Sequence, residues 1–343
     1  MGELTRAAID ALDSGDSLAD TLGMDHQLGD ALWRADAAQI PAAQNSEGLV
    51  VCAMGGSAIG ADLALAAIGA RASRPLSVVR GYEPPPWIGP ETFVLAQSYS
   101  GNTEETLACF AAAGDAGATR AVLTTGGALA ELARAQGVPV IGAPSGFQPR
   151  SAVAYGVVGA LVCAELCAAA PSLRGEVEAA SRLLTGLAGE WGPEAPPDSE
   201  AKAIAVALSG RIPLIYGAGS TAAVARRWKT QINEMAKAPA FWSELPEADH
   251  NEICGFSGAP LQAIFLEEEH ADLRLLDRIE LTAAAAADDG LEVVRVRARG
   301  DSALERVLSL TLLGDLVAVY LAALRDIDPT RIEAIDRFKQ RIG

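Results

Sequence analysis

The chain has 343 residues, half of them hydrophobic, with 27 Lys and Arg against 44 Asp and Glu and a formal net charge of −17. That length suffices for two ordinary domains, each with its own core, and the apolar share excludes an intrinsically disordered chain. The acidic balance excludes nucleic acid and anionic membrane as partners, because both require a basic surface; an anionic ligand would have to be held by local amides, hydroxyls and a few placed cations.

The first residues, Met1-Gly-Glu-Leu-Thr-Arg6, contain no apolar signal core, which predicts a cytoplasmic protein. Residues 3–40 predict two short helices, broken near Ser14-Gly-Asp16, ended by Pro41 and bracing the first domain. From Leu49 the apolar pattern predicts strands over 49–54, 76–79, 93–97, 121–124 and 138–141 and helices over 58–70, 104–113 and 128–135. Short strands alternating with helices imply a parallel sheet covered on both faces.

The step Pro149-Arg150-Ser151 opens an apolar helix reaching residue 170, the one run near the roughly 18 residues needed to span a bilayer, and Glu165 interrupts it. A soluble protein is therefore expected. Pro171 and the later Gly189-Glu-Trp-Gly-Pro-Glu-Ala-Pro-Pro197 read as boundary composition. The predicted domains are 1–172, with the N-terminal helices and first sheet, and 173–343, with the second sheet and a C-terminal helix.

After the boundary the pattern restarts with a strand over 212–216, the turn Gly217-Ala-Gly-Ser-Thr221 and a helix over 222–236. Met54-Gly-Gly-Ser57 laid over Gly217-Ala-Gly-Ser220 gives an internal repeat offset by 163 residues. An aromatic loop at Phe241-Trp242 leads to the polar run Glu244-Leu-Pro-Glu-Ala-Asp-His250-Asn-Glu252, followed by strands over 263–266 and 293–296 and helices over 273–287 and 304–324. The expected fold class is α/β: two doubly wound, flavodoxin-like parallel-sheet domains in tandem. Cys52, Cys109, Cys163, Cys167 and Cys254 all sit in apolar company, which predicts buried thiols; Cys163 and Cys167 share a helix face, but no histidine lies near them, so no metal is expected.

Two turns carry the chemistry. The apolar run Thr92-Phe-Val-Leu-Ala-Gln97 feeds Ser98-Tyr-Ser-Gly-Asn-Thr-Glu-Glu-Thr-Leu107, and a helix leaves it. A helix start has unpaired N–H groups and the positive end of the peptide dipoles, so hydroxyls there complete a pocket for a phosphate-sized anion. The plainer alternative makes Asn102 an N-cap with Glu105 as its partner. The same design occurs earlier, where Leu49-Val-Val-Cys-Ala-Met54 runs into Gly55, Gly56 and Ser57. Both turns fall at carboxyl ends of strands, where ligands of open α/β sheets bind.

Gly-Gly-Ser57 with Ser98-Tyr-Ser-Gly-Asn-Thr-Glu-Glu-Thr106 resembles the sugar isomerase (SIS) fold, whose members bind phosphosugars. Asn233-Glu234, Pro246-Glu247 and His250-Asn-Glu252 are further similar to the bifunctional phosphoglucose/phosphomannose isomerase family, from about Leu49 to the C-terminus. The resemblance implies a small-molecule phosphosugar substrate whose phosphate is held by Ser57, Ser98, Ser100 and Thr103, with Gly55 and Gly56 as further contacts to the substrate. It makes Glu234 the carboxylate that moves a proton between neighbouring carbons, where a surface Glu paired with Lys237 is the alternative. His250, delivered by the partner subunit of a homodimer that shares its active site, and Lys339 would open the ring, and Arg150 would steady the enediolate. No cofactor is implied. Two features depart from the pattern: Ala53 and Ala58 replace outer glycines of the first turn, and Ile332 stands where a hydroxyl or amide is usual, with Thr330 the nearest polar residue. A non-catalytic phosphosugar sensor and an isomerase of another phosphosugar are the alternatives.

Overall fold

The computed structural model describes residues 4–256 and 260–342, with the side chains of Lys339, Gln340 and Ile342 outside the described set. It clusters into two compact units: the first contains Gly23–Arg182 and Ser302–Glu305, and the second contains Met1–Leu22, Leu183–Asp301 and Arg306–Gly343. Three helices open the chain instead of two: α1 (Arg6–Asp10), α2 (Ser17–Leu22) and α3 (Met24–Ala37). The break after α1 is set by Asp13, whose carboxylate accepts the Leu18 N–H at 2.8 Å, and by Asp16 in the left-handed region at φ +57°. Of the three, α3 packs on the first unit, whereas α1 and α2 belong to the second.

The first unit continues through β1 (Leu49–Ala53), α4 (Gly55–Ile68), β2 (Leu76–Val79), β3 (Phe93–Gln97), α5 (Glu104–Asp115), β4 (Thr119–Thr124), α6 (Gly127–Ala135), β5 (Val140–Gly142) and α7 (Val153–Leu166). Its sheet is parallel, in the order β2-β1-β3-β4-β5. Every residue of β1 and β3 is buried, as two covered faces require, and each such Val or Leu contributes about 1.5 to 3 kcal/mol. Helices α4 and α7 meet at Gly60 and Gly156, where a Cβ on Gly60 would stand 3.0 Å from the Gly156 backbone.

After α8 (Arg174–Trp191), the second unit holds α9 (Glu200–Leu208), β6 (Ile212–Ala218), α10 (Ser220–Met235), β7 (Phe241–Leu245), β8 (Leu261–Glu267), α11 (Leu273–Asp288), β9 (Glu292–Arg297), α12 (Ala303–Leu324) and α13 (Glu333–Ile342). Its parallel sheet runs β7-β6-β8-β9, the order of the first sheet without a fifth strand. Tyr216 stacks on Phe265 at 4.8 Å between ring centroids in the core of this sheet. Helix α10 is locked to α12 by the buried Arg227–Asp315 pair, with N–O distances of 3.0 and 2.6 Å, and by the Trp228 indole, which donates to Leu310 O at 2.8 Å. Gly314 gives the indole room, since a Cβ there would come within 2.1 Å of it.

Several expectations need correction. The stretch at Phe241-Trp242 is not a loop but β7, which pairs with β6 at the sheet edge. The segment read as boundary composition contains α8, whose Val177, Ala180, Leu184, Leu187 and Trp191 are buried at helical spacing. Among the described residues the one helix long and apolar enough to cross a membrane is α12, not the run after Arg150, and it is buried inside the protein. Cys254 is exposed, while the other four cysteines are buried.

Candidate active site

The turn after β3 is organised by its own hydroxyls. Ser98 Oγ accepts the Gly101 N–H at 3.1 Å and lies 2.9 Å from Thr103 Oγ1, while Ser100 Oγ accepts the Asn102 N–H at 3.2 Å. From the turn after β1, Ser57 Oγ accepts the Tyr99 N–H at 3.1 Å, and the Gln97 side-chain amide donates to Ser57 O at 2.7 Å. The structure thus brings Ser57, Ser98, Ser100 and Thr103 into one hydrogen-bonded corner at the carboxyl ends of β1 and β3. A hydroxyl whose oxygen is engaged by a backbone N–H keeps its proton to donate, which suits Ser57 and Ser100 to an anion.

Asn102 is not the N-cap of α5. That position is Thr103, whose side chain makes no capping bond, while Asn102 Oδ1 accepts the Ala128 N–H at 3.0 Å at the start of α6. Gly101, at φ +71°, lets the turn pass under Gly126, where a Cβ would meet a carbonyl oxygen at 1.9 Å. Gly55 also has positive φ, at +51°, but open space around it. Gly56 lies against the Pro149 and Arg150 backbone, at 3.0 Å from the position its Cβ would take. Arg150 is buried, with 3% exposure.

In the second unit Glu234 lies half-buried in the last turn of α10. It lines a cavity of about 530 Å³ with Asn233, Lys237, Arg331, Ile332 and Ile335 among the other walls. The C-terminus of α10 is held by Asn233, which donates to Ala238 O at 2.8 Å, and by Lys237, at φ +49°. The Lys237 ammonium donates to Met235 O at 3.1 Å and to Asp328 O at 2.8 Å, fixing the chain that enters α13. Burial alone would push the Asp328 carboxyl up, but bonds from Ser14 and the Thr330 N–H, with Arg331 nearby, hold it below its usual range. Ile332 therefore faces the cavity, whereas Thr330 is buried and donates to Asp13 Oδ1 at 2.7 Å. The polar residue nearest Ile332 in sequence is thus tied to the N-terminal segment. Lys339 lies in α13, and its side chain falls outside the described residues.

His250 closes a one-turn 3₁₀ segment, Glu247–His250, and is exposed; it does not line the cavity of Glu234. Its flanks are pinned. Asp249 accepts from Thr282 Oγ1 at 2.6 Å and pairs with Arg278 of α11 at 3.2 Å, and Glu252 accepts the Tyr216 hydroxyl at 3.0 Å and bonds Ser243. Burial and the Glu252 charge push the Tyr216 phenol up, so it stays a donor at all working pH values.

The second unit has its own corner, where β6 enters α10 and β8 ends. There Glu268 accepts from Ser220 Oγ and, at 2.8 Å, from Arg306 Nε. Thr221 Oγ1 seals the turn by accepting the Ala218 N–H at 2.9 Å and bonding Leu266 O at 3.0 Å. Under the sequence overlay β1 and β6 start at matching positions, Leu49 and Ile212, but α10 starts at Ser220, two residues later than α4 does at Gly55. Among the described residues no group of three or more His, Cys, Asp or Glu could hold a metal ion. Sequence reasoning missed Glu268 and the bracing role of Lys237, since Ser220 and Arg306 lie far from Glu268 in sequence, as Asp328 does from Lys237.

Over residues 197–342 the chain matches the family described as the bacterial phospho-glucose isomerase C-terminal SIS domain. A bifunctional phosphoglucose/phosphomannose isomerase of Caldicellulosiruptor bescii is 34% identical over 308 residues, covering 88% of this chain and 91% of that protein. One of Aquifex aeolicus is 33% identical over 308 residues, covering 86% and 90%. The crystal structure of a hypothetical protein from Thermus thermophilus superposes with a TM-score of 0.78 at 17% identity, over 98% of this chain and 92% of that one, a likeness of fold.

Proposed function

This chain belongs to the bifunctional phosphoglucose/phosphomannose isomerase family, and from that membership we propose that it interconverts glucose 6-phosphate, mannose 6-phosphate or both with fructose 6-phosphate through an enediolate, without a metal. Ser57, Ser98, Ser100 and Thr103 bind the phosphate, and Gly55 and Gly56 contact the substrate. His250 and Lys339 open the ring by taking the anomeric hydroxyl proton and supplying one to the ring oxygen. Glu234 then removes the C2 proton, the electron pair forms the C1–C2 double bond, and the former carbonyl oxygen takes the negative charge that Arg150 steadies. A proton passes from O2 to O1, and protonated Glu234 returns its proton to C1, leaving the C2 ketone.

The observation that carries this reading is the corner of engaged serine oxygens, which presents hydroxyl protons to an anion in a protein of charge −17. The half-buried Glu234 in a sugar-sized cavity supports the proton shuttle. The exposure of His250 supports its delivery to a partner copy in a homodimer.

The test is deuterium incorporation at C2 of glucose 6-phosphate and mannose 6-phosphate in heavy water. The native protein exchanges, and Glu234→Gln loses exchange by roughly 10²- to 10⁴-fold while still binding phosphosugar. Binding without exchange by the native protein would mark a sensor and overturn the isomerase reading. Exchange only with other phosphosugars in a substrate panel would overturn the assignment of substrate.

A further inference from the structure

The loop between β5 and α7 carries Arg150, yet residues 143–152 contain no helix or strand to hold it. A loop without ladder bonds keeps its place only through specific pins. One side chain supplies two of them: the Tyr99 hydroxyl donates to Pro144 O at 2.9 Å and accepts the Phe147 N–H at 2.9 Å. The same residue is fixed at its backbone, where its N–H donates to Ser57 Oγ at 3.1 Å and its carbonyl accepts the Thr125 N–H at 3.0 Å. At the other end of the loop the Pro149 and Arg150 backbone rests on Gly56, the neighbour of Ser57. The contacts therefore close a ring, from Ser57 through Tyr99 to residues 144–147, on to Arg150, and back through Gly56.

We infer that Tyr99 is a positioning residue that holds Arg150 at a fixed distance from the phosphate corner. The inference rests on the reading of Arg150 given above. Its phenol serves neither the phosphate nor the reacting carbons; it acts by denying the arginine loop freedom to drift, and misplacement on the ångström scale is costly to a group that stabilises charge in the transition state. The phosphate corner keeps its own bonds without the phenol, because Ser57 is engaged by the Tyr99 backbone and not by its side chain.

The test is Tyr99→Phe in the full chain, beside Arg150→Lys and the double variant. Tyr99→Phe should lower kcat roughly tenfold, with KM and the calorimetric affinity for inorganic phosphate within about twofold of native. If Tyr99 acts through Arg150, the double variant is no slower than Arg150→Lys alone, whereas independent sites would multiply. An unchanged kcat in Tyr99→Phe, even with a lower Tm, or a multiplying double variant would overturn the inference. Should Arg150→Lys itself keep full kcat, the reading of Arg150 falls and takes the inference with it; should Arg150→Lys be slow and Tyr99→Phe be fast, the inference alone falls.

Discussion

At the ends of β1 and β3, serine oxygens accept backbone N–H groups; at the ends of β6 and β8, the turn serine instead donates to a carboxylate of the chain itself, Glu268. The two corners share a sheet order and a glycine-containing turn into a helix. They differ in the residues that leave the neighbouring strand: Ser98 and Ser100 after β3, Glu268 after β8. Arg306 and Ser220 satisfy the Glu268 carboxylate and leave the second corner closed. A strand-to-helix corner suits negative charge, and in the second corner that charge is the Glu268 side chain.

The comparison can be broken most forcefully at Gly101. Gly101→Ala adds a methyl group against the Gly126 carbonyl at φ +71° and is expected to cost about 4 kcal/mol or more in urea unfolding. Gly55→Ala, with φ +51° and open space, should cost only about 1 to 2 kcal/mol; equal losses would refute the steric account of the first corner. Glu268→Ala removes the internal anion and should cost about 2 to 3 kcal/mol, since Arg306 and Ser220 lose a charged acceptor. Millimolar inorganic phosphate should then raise the Tm of the variant more than that of the native protein, and equal responses would show that the second corner is no anion receptor. The smallest effect is at Ser57. Ser57→Ala loses one donor to a charged oxygen and should raise KM roughly tenfold with kcat within about twofold, while Ser220→Ala leaves KM unaltered.

Much of the fold was legible because burial on both faces writes itself into composition. The runs 76–79 and 93–97 coincide with β2 and β3, and the central strands β1, β6 and β8 are apolar enough to declare themselves. Strand β7 was not legible: Phe241-Trp-Ser-Glu-Leu245 is an edge strand of mixed exposure, and only its bonds to β6 make it a strand. Helix α8 did carry a signal, the spacing of Val177, Ala180, Leu184, Leu187 and Trp191, which the Pro- and Gly-rich stretch after it obscured. The Ser98–Thr103 motif announced the corner, but not that Thr103 rather than Asn102 caps the helix, because a cap is chosen by backbone geometry among several eligible side chains.

By itself the sequence determined the two α/β halves, their hydroxyl-bearing turns and the family, since these depend on local pattern and on residue identity. Only the tertiary structure decided that Arg150 is buried beside Gly56, that Thr330 is spent on Asp13 while Ile332 faces the cavity, and that Glu268 closes the second corner. Each of those outcomes is a contact between residues far apart along the chain, and such contacts are fixed by packing, which no local periodicity encodes.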